Sequence, residues 1–321
     1  MRRVLVPAHL DPVPPPGGSV VARLEGRTMG TGWNVQYAAP APLAGLQAAL
    51  ESELIRLNDQ MSHWQSGSEL DRYNEGAAGS WHALSAEFFH VLHYALDLCE
   101  QTAHAFDPAA GALVDLWGFG AHGQHASGAF TPPSQGALVS ALAARRPLAL
   151  DPVTRSVLQP GGQRLDLSGV AKGYAVDHLS LLLERHGCRH YLVEIGGELR
   201  GAGMKPDGQP WWVELEQGVS TLAALHGLAC ATSGDYRRYF DYSGRRYAHT
   251  IDPRTGLAVD NGVHTVTVLA PQCMHADAWA TALTVLGPAA GIALADRHGI
   301  AARILCRDGE RISAAFTDML G

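Results

Sequence analysis

Apolar residues recur at steps of three and four in two early stretches, Leu43, Leu46, Leu50, Leu54, Leu57 and then Phe89, Leu92, Leu96, Cys99. Each set falls on one face of a 3.6-residue turn and predicts an amphipathic helix. A third helix is expected from about Gly173, with Val176, Leu179 and Leu183 turned inward. Val20 to Tyr37 reads differently, as strand, turn, strand around Met29-Gly30-Thr31-Gly32. Further short strands are expected at 164–168, 190–195, 211–216, 227–232, 263–269 and 300–306, and a helical pair near 275–297. The run HYLVEI at 190–195 is apolar enough for burial on both faces. Strands do not alternate strictly with helices and nothing repeats at a fixed period. The pattern predicts an α+β fold with helices packed on sheets.

The stretch from Ala278 to Ala295 carries no charge and is long enough to span a membrane. It is rich in Ala and Thr and is cut by Gly287-Pro288, which ends one helix and opens another. Two short buried helices are expected, and no transmembrane segment. Residues 11–18, DPVPPPGG, predict a flexible Pro/Gly-rich lead over 1–19, followed by a single domain over 20–321. Arg2 and Arg3 precede an apolar stretch that Pro7 interrupts and His9 and Asp11 end. That is too short for the core of an export signal, and no lipobox cysteine follows, so as written the chain is expected in the cytoplasm. Five scattered cysteines without CxxC spacing agree with a reducing compartment and argue against a zinc ribbon or disulfide framework. A formal net charge of −7 argues against a nucleic-acid partner.

Glycine is in excess at 36 residues, and the excess sits in clusters with polar side chains. These are Met29-Gly30-Thr31, Met61 to Trp64 with Ser68-Glu69, Ala105 to Pro108, Asp166 to Tyr174, Glu194 to Glu198, Thr232 to Tyr236, His249 to Gly256, and Asp277 with Thr281. Singly, most have a plain structural reading: Gly196-Gly197 as a turn, Asp252-Pro253 as the start of a type I turn, Ser233-Gly234-Asp235 as a loop or cap, Trp64 as core. Asp166 to Tyr174 says more. It runs strand, glycine turn, helix, which leaves N–H groups free at a helix N-terminus beside Lys172 and suits a phosphate oxygen. The spacing is not that of a Walker A loop. Asp277 and Thr281, four apart on a predicted helix, share one face. A carboxylate with a hydroxyl is a hard-oxygen pair, suited to Mg²⁺ with phosphate and water completing the shell. The alternatives are a solvated or capping Asp277 and a Thr281 bonded back to its own helix.

Taken together, these segments resemble the ApbE family of FAD:protein FMN transferases. The resemblance rests, in order, on MGT at 29, MSHWQSGSELDRYN from 61, FDPAAGALVDLWGFG from 106, LDLSGVAKGYAVD from 165, VEIGGELRGAG from 193, TSGDYRRYF from 232, HTIDPRTG from 249 and ADAWATAL from 276. It implies a compact α+β fold with helices on mixed or antiparallel sheets. It also implies an enzyme that uses Mg²⁺ to move the FMN half of FAD, its substrate, to a Thr or Ser hydroxyl of a target flavoprotein, with AMP leaving. By motif position, Met29, Trp64, Ala105, Phe106, Asp107, Asp166, Lys172 and Ile251 are the implied FAD contacts. The implied metal ligands are Asp277, Thr281 and the carbonyl of Gly169; His249 is the implied base, with Lys172 beside the phosphates. The sequence departs from the family where Ala109 replaces a Thr often found after FDP, and where Thr250 replaces an apolar residue. Many members are exported lipoproteins, unlike the reading of this chain. A Mg²⁺-dependent FAD pyrophosphatase and a non-catalytic flavin-binding protein are the competing readings.

Overall fold

In a computed structural model, which describes residues 3–7, 10, 12–121, 123, 130–215, 220–234 and 239–320, the chain is built on one large antiparallel sheet. Its strand order runs Gly309–Ile312, Ala301–Cys306, Val263–Ala270, Leu228–Gly234, Glu198–Ala202, Tyr191–Ile195, Thr31–Ala39, Val20–Thr28. Smaller sheets flank it: Arg3–Leu5 with Thr221–Leu225 and Trp211–Leu215, Trp81–Ala83 with Ser156–Leu158 and Leu150–Asp151, and the hairpin Tyr239–Tyr242 with Arg245–Ala248. Only the Arg3–Leu5 pairing among the described strands is parallel. The fold is α+β, as the hydrophobic pattern predicts.

The predicted helices form where the apolar stripes lie. Leu46–Met61 buries Leu46, Leu50, Leu54 and Leu57, and Ala86–Gln101 buries Phe88, Val91, Leu92 and Leu98. Ser85 caps the second, its side chain accepting from the Phe88 N–H at 3.4 Å. These two helices, Ala171–Arg185 and Cys273–Leu286 contribute to the same core as Val35, Tyr191, Val193 and Ile195 of the sheet. The uncharged stretch divides at Gly287 into Cys273–Leu286 and Pro288–His298, with proline opening the second. No helix among the described residues is long and apolar enough to cross a membrane. All five cysteines are free and buried.

Two expectations are corrected. Residues 164–168 form no strand, because their backbone is met by a side chain instead. Asn74 donates to the Leu165 carbonyl at 3.1 Å and accepts from its N–H at 2.7 Å. The lead is not uniformly loose either: Arg3–Leu5 pairs with Thr221–Ala223, and Leu5 is fully buried in a second core with Trp211, Leu225 and Phe316. Burial of one leucine and a ladder of backbone bonds outweigh the local looseness of the prolines that follow.

Candidate active site

The Met29 turn, the loops at 61–64, 105–110 and 249–253, and the helices Ala171–Arg185 and Cys273–Leu286 enclose a cavity of about 470 Å³. That size is ordinary for a small-molecule site. Every residue given a site role from the sequence lines it: Met29, Trp64, Ala105, Phe106, Asp107, Asp166, Gly169, Lys172, His249, Ile251, Asp277 and Thr281. Met29 and Gly30 make the two-residue turn between Val20–Thr28 and Thr31–Ala39, at φ 49° and 73°. Both signs are those of a type I′ hairpin turn, which the right-handed twist of the strands favours.

The two helices meet head to head and cap each other. Asp177, on Ala171–Arg185, accepts from the Cys273 and Met274 N–H groups at 3.0 and 2.9 Å. In return Asp277, on Cys273–Leu286, accepts from the Gly173 N–H at 2.9 Å. Asp277 therefore caps a helix, as one reading allows, but the neighbouring helix and not its own. Of the N–H groups expected to be free beside Lys172, several are taken. Ser168 N–H donates to Asp166, those of Val170 and Ala171 to the Leu167 carbonyl, and that of Gly173 to Asp277. The Lys172 ammonium stands at the cavity beside them.

Lys172 donates to Glu198, which follows a second tight turn, Gly196-Gly197, at φ 64° and 106°. Only 2% of Glu198 and 2% of Asp277 is exposed, so two buried carboxylates face one ammonium. Burial pushes Glu198 up to about 7, with Lys172 opposing and Asp277 adding to it. Burial likewise raises Asp277, against Lys172 and the Gly173 N–H. Lys172 feels burial in the other direction, but its two carboxylate neighbours outweigh it and hold the amine protonated. Glu198 Oε2 is buried with no hydrogen-bond partner among the described residues.

The donor set suits a hard cation. Gly169 lies so close to Thr281 that a Cβ there would come within 2.9 Å of the Thr281 hydroxyl oxygen, and Ser233 Oγ lies 3.4 Å from that oxygen. A carbonyl, two hydroxyls and the Asp277 carboxylate are oxygen ligands of the kind Mg²⁺ takes. A second grouping, Cys99, His104 and Asp107, brings donor atoms within 4.8 Å of one another. Its sulfur is soft, and Asp107 is already ion-paired with Arg145, so it suits Mg²⁺ poorly.

Across the cavity, Arg145 ties two loops together. It pairs with Asp107 and donates to the Pro253 carbonyl at 2.6 Å, beside Ile251, which is buried. Ala109, standing where a hydroxyl is common in the family resembled, gives its N–H to Asp107 at 2.7 Å. Asp166 lies 3.8 Å from His63 Nδ1. Trp64 is not core: 53% of it is exposed, which leaves an aromatic face for a planar ligand. His249 meets Phe119 edge-on, ring centroids 6.2 Å apart. Asp235 and Tyr236 of the Thr232 to Tyr236 cluster lie outside the described residues.

The ApbE family model matches residues 29–304. The chain belongs to the ApbE family. A FAD:protein FMN transferase of Vibrio cholerae is 37% identical over 316 residues, with 92% of each chain covered. That of Escherichia coli K12 is 34% identical over 310 residues, covering 90% of this chain and 85% of the relative. The apo crystal structure of the Pseudomonas stutzeri flavinyl transferase ApbE superposes with a TM-score of 0.87 at 34% identity, covering 94% of this chain and 98% of that one. Within this family frame, Glu198, Ser233, His63 and Arg145 are cavity or loop-tying residues to which the sequence assigned no role. The first three stand inside quoted motifs, so their position was the signal. Arg145 lies outside every motif and had none.

Proposed function

We propose that this chain transfers the FMN half of FAD, with Mg²⁺, to a Thr or Ser hydroxyl of a flavoprotein and releases AMP. The observation that carries the reading is convergence: segments from Met29 to Thr281, each of which has a plain structural explanation alone, line a single cavity. Phosphoryl transfer asks mainly for positioning and charge neutralisation. In this reading Asp277, Thr281 and the Gly169 carbonyl hold the metal, which supplies charge neutralisation at the pyrophosphate. Lys172 holds phosphate oxygen from the other side. Trp64 offers its exposed face to a flavin or adenine ring, while Met29, Ala105, Phe106, Asp107, Asp166 and Ile251 shape the remainder of the FAD site.

The chemistry balances without a further reagent. The acceptor oxygen bonds to the FMN phosphorus, the bond from that phosphorus to the AMP oxygen breaks, and His249 takes the hydroxyl proton. Imidazole suits this step because its ordinary pKa lies near neutrality. We take residues 20–321 to act as one transfer domain. The test is acceptor dependence. With FAD and Mg²⁺, AMP release should rise when a flavoprotein domain bearing an acceptor Thr is added, and flavin should remain on that domain after denaturation. AMP and free FMN formed at the same rate with or without acceptor would show a pyrophosphatase instead. Tight FAD binding without turnover would show a flavin carrier.

A further inference from the structure

Glu198, the first residue after a two-residue hairpin turn, is only 2% exposed and lines the cavity. Its position is closely specified. Ile195 and Glu198 close the hairpin as paired residues, and Gly196 is packed so that a Cβ would fall 2.8 Å from Thr31. Residues at both turn positions take φ values that favour glycine. Oε1 accepts from Lys172, while Oε2, which in the ionised carboxylate can only accept, is buried without a partner among the described residues. A buried carboxylate oxygen left in this way is costly unless something supplies a donor.

The phosphates of the expected substrate do not meet the need of an ionised Glu198, because phosphate oxygens only accept. A water bound to a hard cation does donate, and Mg²⁺ keeps several of its waters. Resting on the reading of the site as a Mg²⁺-dependent FMN transferase, we propose that Glu198 is a positioning residue which fixes the Lys172 ammonium through Oε1 and accepts a hydrogen bond from metal-bound water through Oε2. It is not itself a ligand. It acts on the metal through that water and on the phosphates through Lys172, and it adds a negative charge beside Asp277 that the cation balances.

The probe is Mn²⁺, titrated by its paramagnetic resonance signal into the FAD-loaded protein, with FAD affinity measured separately by flavin fluorescence in EDTA. Glu198→Gln keeps the shape and an acceptor for Lys172 but loses the charge. Its Mn²⁺ affinity should fall about 10–100-fold, the usual cost of losing an outer partner of a metal site. FAD affinity without metal should stay within about threefold of the parent, since a single amide–ammonium contact is retained. A purely structural role would lower the melting temperature and leave Mn²⁺ affinity unmoved, and that result overturns the proposal. If Glu198→Gln does not fold, Glu198→Ser, which leaves room for water, takes its place: a drop in Mn²⁺ affinity supports the proposal and an unmoved one overturns it. A parent protein that binds FAD and Mn²⁺ but transfers no FMN overturns the transferase reading, and the metal titration still decides the role of Glu198.

Discussion

Gly173 is where the two site-bearing helices touch, and Gly173→Ala tests whether their spacing sets the chemistry. A Cβ at 173 would lie 2.7 Å from the Cys273 carbonyl carbon and 2.8 Å from Asp277 Cβ, and closer still to the Cys273 carbonyl oxygen. Carbon atoms in contact sit about 3.5–4.0 Å apart, so one helix must retreat by roughly 1 Å. Cores resist such shifts, and overpacking by one methyl costs about 1–3 kcal/mol. The better helix propensity of alanine returns about 1 kcal/mol at most. The net loss of up to about 2–3 kcal/mol should lower the melting temperature by up to a few degrees, at roughly 2 °C or less per kcal/mol for a chain of this length. The same shift stretches the Gly173 N–H bond to Asp277 and moves that carboxylate relative to Lys172. Misplacement of this size costs about 10²-fold in rate. Thermal melts and FMN-transfer rates at saturating FAD and Mg²⁺ check both. Gly136→Ala is the control: it sits in Gln135–Ala144 with only the Ser134 hydroxyl 4.0 Å away, so it should raise stability slightly and leave the rate alone. If Gly173→Ala melts no lower than the parent and transfers FMN normally, close helix approach is not what builds the site.

His249→Ala should slow transfer by about 10²–10⁴-fold, as expected for loss of a general base, while calorimetry shows FAD still binding; normal transfer removes His249 from the mechanism. Asp277→Ala should abolish the EDTA-sensitive reaction in a protein that remains folded by circular dichroism, although the Gly173 N–H loses its partner at a cost of about 1–3 kcal/mol. A less stable variant that is still active and still inhibited by EDTA would show that Asp277 only caps. Glu53 is held below the usual carboxylate range by its bond to Arg56, against burial and with help from His178. Its folded value lies below its unfolded one, so its stabilisation is present above the ordinary carboxylate pKa and is lost as pH falls through the folded value. Glu53→Gln should therefore melt below the parent at pH 7 and close to it at pH 3; an equal deficit at both would refute the sign.

Much of this was legible in the chain because it is local. The 3–4 spacing of Leu46, Leu50, Leu54 and Leu57 needs no knowledge of distant contacts, and Gly287-Pro288 divides an uncharged stretch by backbone chemistry alone. Asp277 and Thr281 share a face because a helix turns every 3.6 residues. What escaped was non-local. The pairing of Asp277 with Gly173 and of Asp177 with Cys273 joins segments far apart in sequence, and the first of them takes one of the N–H groups that looked available for a phosphate. Asn74 replaced the strand partner expected for 164–168. Arg145 ties Asp107 to Pro253 from outside any motif, with nothing in its neighbours to mark it. Leu5 is fixed by a partner strand more than two hundred residues away, which a proline-rich neighbourhood conceals.

Where the flavin goes separates transfer from hydrolysis, so the decisive measurement is the intact mass of an acceptor. A flavoprotein domain bearing its acceptor Thr is incubated with this protein, FAD and Mg²⁺, beside the same domain carrying Val at that position. The Thr domain is expected to gain the mass of FMN less one water, with one AMP released per adduct, and the Val domain to gain nothing. An unmodified Thr domain in a mixture where FAD has been cleaved to free FMN and AMP would contradict it.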